Sequence, residues 1–136
     1  MKIRPFGYFF YAIRRCEDMV YYRYQAKYNS QFTGKPIGIF GAVFGLIKRG
    51  LTTDEETSSY EEVLSWFDKN LPDPKFYEQG NPLQGITWFT EEGVKMVDKL
   101  APLVGILESH GVEYEFIETE NPGTIIYKDR YQVGTI

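Results

Sequence analysis

Val20-Tyr-Tyr-Arg-Tyr-Gln-Ala-Lys27 is the stretch that decides the fold class. Side chains alternate with a period of two along a strand, so Val20, Tyr22, Tyr24 and Ala26 share one face and Tyr21, Arg23, Gln25 and Lys27 the other. Tyrosine favours pleated, half-buried surfaces, which strengthens the strand reading. Upstream, residues 6–15 are aromatic-rich and bounded by polar residues, and read as a second strand. Cys16-Glu17-Asp18 supplies the turn, so the two runs predict an antiparallel hairpin.

Downstream lies Gly34-Lys-Pro-Ile-Gly38-Ile-Phe-Gly41-Ala-Val-Phe-Gly45, whose glycines are spaced to share one helix face. Pro36 suits a first helical turn, and Lys48, Arg49 and Gly50 suit the end, which predicts a helix over 36–49. Glycine costs about 1 kcal/mol per interior helix position relative to alanine. Something must therefore approach this helix closely, either the protein's own sheet or a ligand.

Thr53 and Glu56 form a capping box that opens a second helix over 54–70, stopped by Leu71-Pro72-Asp73-Pro74. Residues 73–84 read as a loop and Ile86–Phe89 as a short strand. Thr90 caps a third helix over 91–110, kinked at Pro102 and ended by Gly111. Val112 to Phe116 alternates as a strand, Asn121-Pro122-Gly123 turns, and Thr124 to Val133 reads as one last strand. The order ββααβαββ predicts an α+β fold, a single mainly antiparallel sheet of about five strands with three helices. With 136 residues and no linker or repeat, residues 1–136 form one domain.

The only cysteine, Cys16, excludes a disulfide framework and a cysteine-based zinc site. The start, Met-Lys-Ile-Arg-Pro, does not have the form of a signal peptide, and the longest apolar run, Ile37–Ile47, is too short to span a bilayer. A cytoplasmic protein without membrane contact is expected. The charge is uneven: residues 1–50 hold nine Lys and Arg against Glu17 and Asp18, a net +7, and residues 51–136 carry −11. Either the first third faces an anion or the two parts pair with each other.

Four groups are candidates for function. Thr33, Gly34, Lys35 and Gly38 stand at the predicted start of the glycine helix, where unpaired N–H groups and the dipole favour phosphate or carboxylate. A capped helix packed on strands explains the same residues. Arg14 and Arg23, interleaved with Tyr22 and neighbouring tyrosines, could hold an anion and stack a ring, or guard a sheet edge. Trp88 adds a second stacking surface beside the 73–84 loop. Asp129 falls on the apolar face of the last strand and needs a partner, with Arg14, Arg15 and Arg23 as candidates. His110, the single histidine, sits at a helix end and reads as a cap.

Together these predict a binding protein without catalytic machinery, cofactor or metal. Its ligand would be anionic, a nucleotide-like small molecule or an acidic protein surface. General nucleic-acid binding is not expected at a pI near 5.1. The alternatives are an interaction or inhibitor module working through the Tyr/Arg hairpin, including a homo-oligomer through edge strands, and an enzyme with an Asp or Glu base.

Overall fold

The computed structural model describes residues 19–136. The predicted first strand, its turn at Cys16–Asp18, and Arg4, Arg14 and Arg15 lie outside those residues. The fold is α+β, a single antiparallel sheet with three α-helices among the described residues. The strands are β1 (Tyr21–Asn29), β2 (Pro36–Gly38), β3 (Ile86–Phe89), β4 (Tyr114–Thr119), β5 (Ile125–Lys128) and β6 (Gln132–Thr135). The helices are α1 (Ile39–Lys48), α2 (Asp54–Asn70) and α3 (Ala101–Ser109).

β1 organises the sheet. One flank pairs continuously with β4, from Tyr21–Thr119 to Ala26–Tyr114. The other flank is shared: β3 meets it only at Tyr22–Phe89, and β2 only at Gln25–Gly38 and Asn29–Pro36. The sheet order runs β2-β1-β3-β6-β5, so β2 and β3 abut the same edge and diverge between Tyr22 and Gln25.

The registers define two faces. Tyr22, Tyr24 and Ala26 align with Phe89, Gln132, Phe116 and Tyr114 on the face covered by helices. There Ala26 joins Val43, Phe67, Leu103 and Leu107 in the main core. Tyr21, Arg23 and Gln25 lie on the opposite face with Trp88 and Val133, where Tyr21, Trp88 and Val133 form a second buried cluster. The alternation of β1 therefore does not divide core from solvent, because Arg23 and Gln25 are buried as well.

α2 begins at its capping box, with Thr53 Oγ1 accepting from Glu56 N (3.1 Å) and Glu56 Oε1 accepting from Thr53 N (3.0 Å). His110, at the end of α3, binds Glu56 Oε1 at 2.9 Å, so one carboxylate ties the start of α2 to the end of α3. Pro102 divides the predicted third helix rather than kinking it. A 3₁₀ segment covers Gly93–Leu100, and α3 starts with the proline in its first turn, where the missing N–H is tolerated. The predicted last strand is two strands, β5 and β6, joined by a turn at Asp129.

The glycine run also departs from expectation. α1 starts at Ile39 rather than Pro36, because Pro36–Gly38 pairs with β1 as a strand and leaves Gly38 as the N-cap. Gly34 adopts φ +72° in the turn before β2. A Cβ on Gly41 would meet Ile37, one on Gly38 would meet Arg23 Nη2 at 3.3 Å, and one on Gly45 would meet nothing within 4 Å. Only Gly38 receives a side chain from a distant part of the chain. Sharper glycine constraints lie elsewhere: a Cβ on Gly93 would stand 1.8 Å from Tyr131 O, and one on Gly134 in β6 would stand 2.1 Å from Phe76 Cε2.

Two substitutions test this reading by chemical denaturation. Gly45→Ala, in open space within α1, should stabilise the protein by about 0.5–1 kcal/mol. Gly134→Ala should cost about 1–3 kcal/mol through overpacking. Combining it with Phe76→Ala should give a non-additive recovery, since the two positions share one contact.

Candidate functional site

Where β2 and β3 diverge along β1, the sheet opens into a cavity of about 430 Å³, within the range of about 300–1,000 Å³ usual for small-molecule sites. Its floor is β1 at Tyr22, Arg23 and Tyr24, and its sides are β2 and β3. Gly38, Ile39, Phe40 and Gly41, at the start of α1, form one end, and Phe67 of α2 and Leu71, just past its end, also line it. Gln132 enters from β6. The walls are mainly aromatic and aliphatic.

Arg23 crosses the opening. Its Nη1 donates to Thr87 O on β3 (2.8 Å) and its Nη2 to Pro36 O on β2 (2.9 Å). Its Nε donates to Gln25 Oε1 at 3.1 Å, and its guanidinium lies 6.0 Å from the centre of the Trp88 ring. The side chain thus supplies donors to two strand carbonyls where the backbone ladder is interrupted. A guanidinium has five N–H donors. Three are engaged here, and one on each terminal nitrogen is without a partner among the described residues.

The residue is only 8% exposed. Among the described residues no carboxylate lies within 4 Å of it. The nearest link to one runs through an amide, since Gln25 Nε2 donates to Glu115 Oε2 at 3.0 Å. Burial pushes the guanidinium down to about 10, with the Tyr77 hydroxyl acting in the opposite direction, so the group keeps its charge at neutral pH. Removing such an ion from water costs several kcal/mol. Hydrogen bonds to neutral acceptors offset part of that cost but leave the charge unbalanced among the described residues.

The N-terminus of α1 adds to the same field. Its N-cap, Gly38, has no side chain to offer, and its first turn carries no acid. The N–H groups of that turn carry a partial positive charge. The two features meet at Gly38, against which the guanidinium rests. Among the described residues, no ion pair joins a basic residue before position 51 to an acid beyond it.

Of the residues singled out from sequence, Tyr22, Arg23, Thr33, Gly38 and Trp88 line the cavity. Gly34 and Lys35 belong to the preceding turn, where Gly34 N donates to Ser30 O, and neither lines it. Arg14 lies outside the described residues. Phe40, Phe67 and Gln132 carry no local signal of a site: the two phenylalanines fit any apolar helix face, and Gln132 stands in the segment that reads as the last strand, off its apolar face.

Asp129 does not pair with Arg23. Its Oδ1 accepts from Tyr131 N (2.8 Å) and Gln132 N (3.0 Å), and its Oδ2 accepts from the Tyr127 hydroxyl (2.5 Å). It closes the β5–β6 turn, because a carboxylate can cap exposed amides there. The hydrogen bond to Asp129 pushes the Tyr127 phenol up from 10.0 to about 12. A raised tyrosine pKa contributes stability in full below the ordinary value and loses it as pH rises through the folded one. Spectrophotometric titration should therefore show a phenol ionising near pH 12 that disappears in Tyr127→Phe. Alkaline unfolding between pH 10 and 12 should also be steeper in the parent chain than in that variant.

Compared with protein-family models, curated proteins and solved structures, the chain matches none.

Proposed function

We propose that the protein acts by binding, and that its ligand is an anion seated where Arg23 meets the start of α1. One observation carries the reading: a buried guanidinium that lines a cavity, has no carboxylate within 4 Å among the described residues, and keeps two N–H groups unengaged. Buried charges in folded proteins are normally paired. The cavity is where the missing negative charge fits, and the N-terminus of α1 favours the same sign. Tyr22 and Trp88 also line the cavity.

A thermal-shift panel of chloride, inorganic phosphate, AMP, acetate and phenylacetate tests the proposal. A ligand at a hundred times its dissociation constant stabilises by about 2.7 kcal/mol, a shift of several degrees for a domain of this size. At least one anion should produce such a shift, which should be lost in Arg23→Lys, where the fork is gone but the charge remains. Gly38→Val, which keeps the arginine and fills its approach, should also lose it. Lys35→Ala should keep it, since Lys35 does not line the cavity. A flat panel, or a shift sensitive to Lys35 and indifferent to Arg23, would overturn the proposal.

A further inference from the structure

The cavity holds a second unmet group. Gln132 is 7% exposed and lines the cavity from the strand two positions away from β1 in the sheet. Its Nε2 donates to Pro72 O (2.7 Å) and toward Asp129 Oδ2 (3.5 Å), which fixes the amide with Nε2 on the donor side. Its Oε1 accepts nothing among the described residues. A buried carbonyl oxygen left unpaired costs about 1–3 kcal/mol, so this atom calls for a donor. Through Phe89 it stands two strands from Tyr22, roughly 10 Å at the backbone.

We propose that the ligand is an aryl monocarboxylate with a hydroxyl or N–H donor at the end of its ring opposite the acid. Its carboxylate would lie on Arg23, its ring between the aromatic walls, and its donor on Gln132 Oε1. The inference rests on the anion-binding reading above and narrows it.

Three features select this class over a nucleotide or a free phosphate. Among the described residues the lining contains one full positive charge, Arg23, and no lysine or second arginine. A monoanion balances that charge, and a phosphate dianion would carry an excess negative charge into an apolar space, which is strongly disfavoured. The two unengaged N–H groups of Arg23, one on each terminal nitrogen, match in number the two oxygens of a carboxylate. The lining also includes Tyr24, Phe40, Phe67 and Phe89. Such walls suit a flat apolar body, because offset and edge-to-face ring contacts are favourable. A nucleotide would leave its sugar hydroxyls against these rings.

The experiment measures dissociation constants, by calorimetry and by quenching of tryptophan fluorescence, for phenylacetate, 4-hydroxyphenylacetate, phenyl phosphate and AMP. The expected order places 4-hydroxyphenylacetate first, about three- to tenfold tighter than phenylacetate, the worth of one net hydrogen bond. Phenyl phosphate should bind at least tenfold more weakly than phenylacetate. Gln132→Met keeps the volume and removes the acceptor, so it should abolish the preference for the hydroxyl. Should Gln132→Met fail to fold, 4-methoxyphenylacetate, which has no donor, gives the same test on the parent protein and should lose the advantage. Arg23-dependent binding of AMP or phenyl phosphate tighter than either carboxylate would overturn the ligand class and leave the anion site standing. Equal affinity for phenylacetate and its hydroxylated analogue would overturn the role of Gln132. Absence of binding by all four would overturn this inference, and would overturn the reading beneath it as well if chloride, inorganic phosphate and acetate also gave no shift.

Discussion

One edge of β1 is asked to serve two strands, and the rest of the structure follows from how that demand is met. An antiparallel edge offers a fixed number of donors and acceptors, and β2 and β3 cannot both continue along it. They part, which leaves carbonyl groups on each without a ladder partner. Arg23 supplies the missing donors from a side chain. Its planar fork can reach two carbonyls on separate strands, a geometry that a lysine ammonium on a flexible stem does not present. The opening, the buried charge and the position of the α1 N-terminus are therefore aspects of a single packing solution.

That solution leaves an electrostatic imbalance. Gln25 carries part of the burden by presenting its carbonyl oxygen to Arg23 and its amide N–H to Glu115, so a carboxylate at the periphery polarises the link to the interior. An amide transmits polarisation but not charge. The remaining imbalance faces a cavity whose other surfaces are largely apolar, a combination typical of sites that use few polar groups to orient a hydrophobic ligand.

Much of the fold was legible because its signals are local. α2 begins and ends at the residues its capping box and prolines indicate, and β3 occupies the four residues read as a strand. The site was legible only in part. Arg23 and Gln25 stand on what an alternation rule treats as the wet face of β1, and their burial comes from partners as far as ninety residues away. Gln132 is buried for the same non-local reason. The glycine run misled in an instructive way. Its spacing fits one helical face, yet Gly34 turns the chain, Gly38 admits a guanidinium, and Gly45 packs against nothing. Tyr127, Asp129 and Tyr131 sustain a strand-like alternation across what is a turn, since a capping carboxylate is invisible to periodicity.

The long reach of β1 also sets an order of assembly during synthesis. Gln25 and its partner Glu115 are separated by ninety residues, which a ribosome adding about 5–20 residues per second takes roughly 5–20 s to produce. Throughout that interval α1 and α2 can form from nearby sequence, and β1 waits with its β4 flank open. A tyrosine-rich strand in that state is a template for unwanted pairing with other chains. Arg23 and Lys27 place two positive charges on it, which repel a second copy of the same segment. The arginine that later spans the gap in the finished sheet is thus also a guard on the nascent strand, and the difficulty of burying its charge is deferred until the last partner arrives.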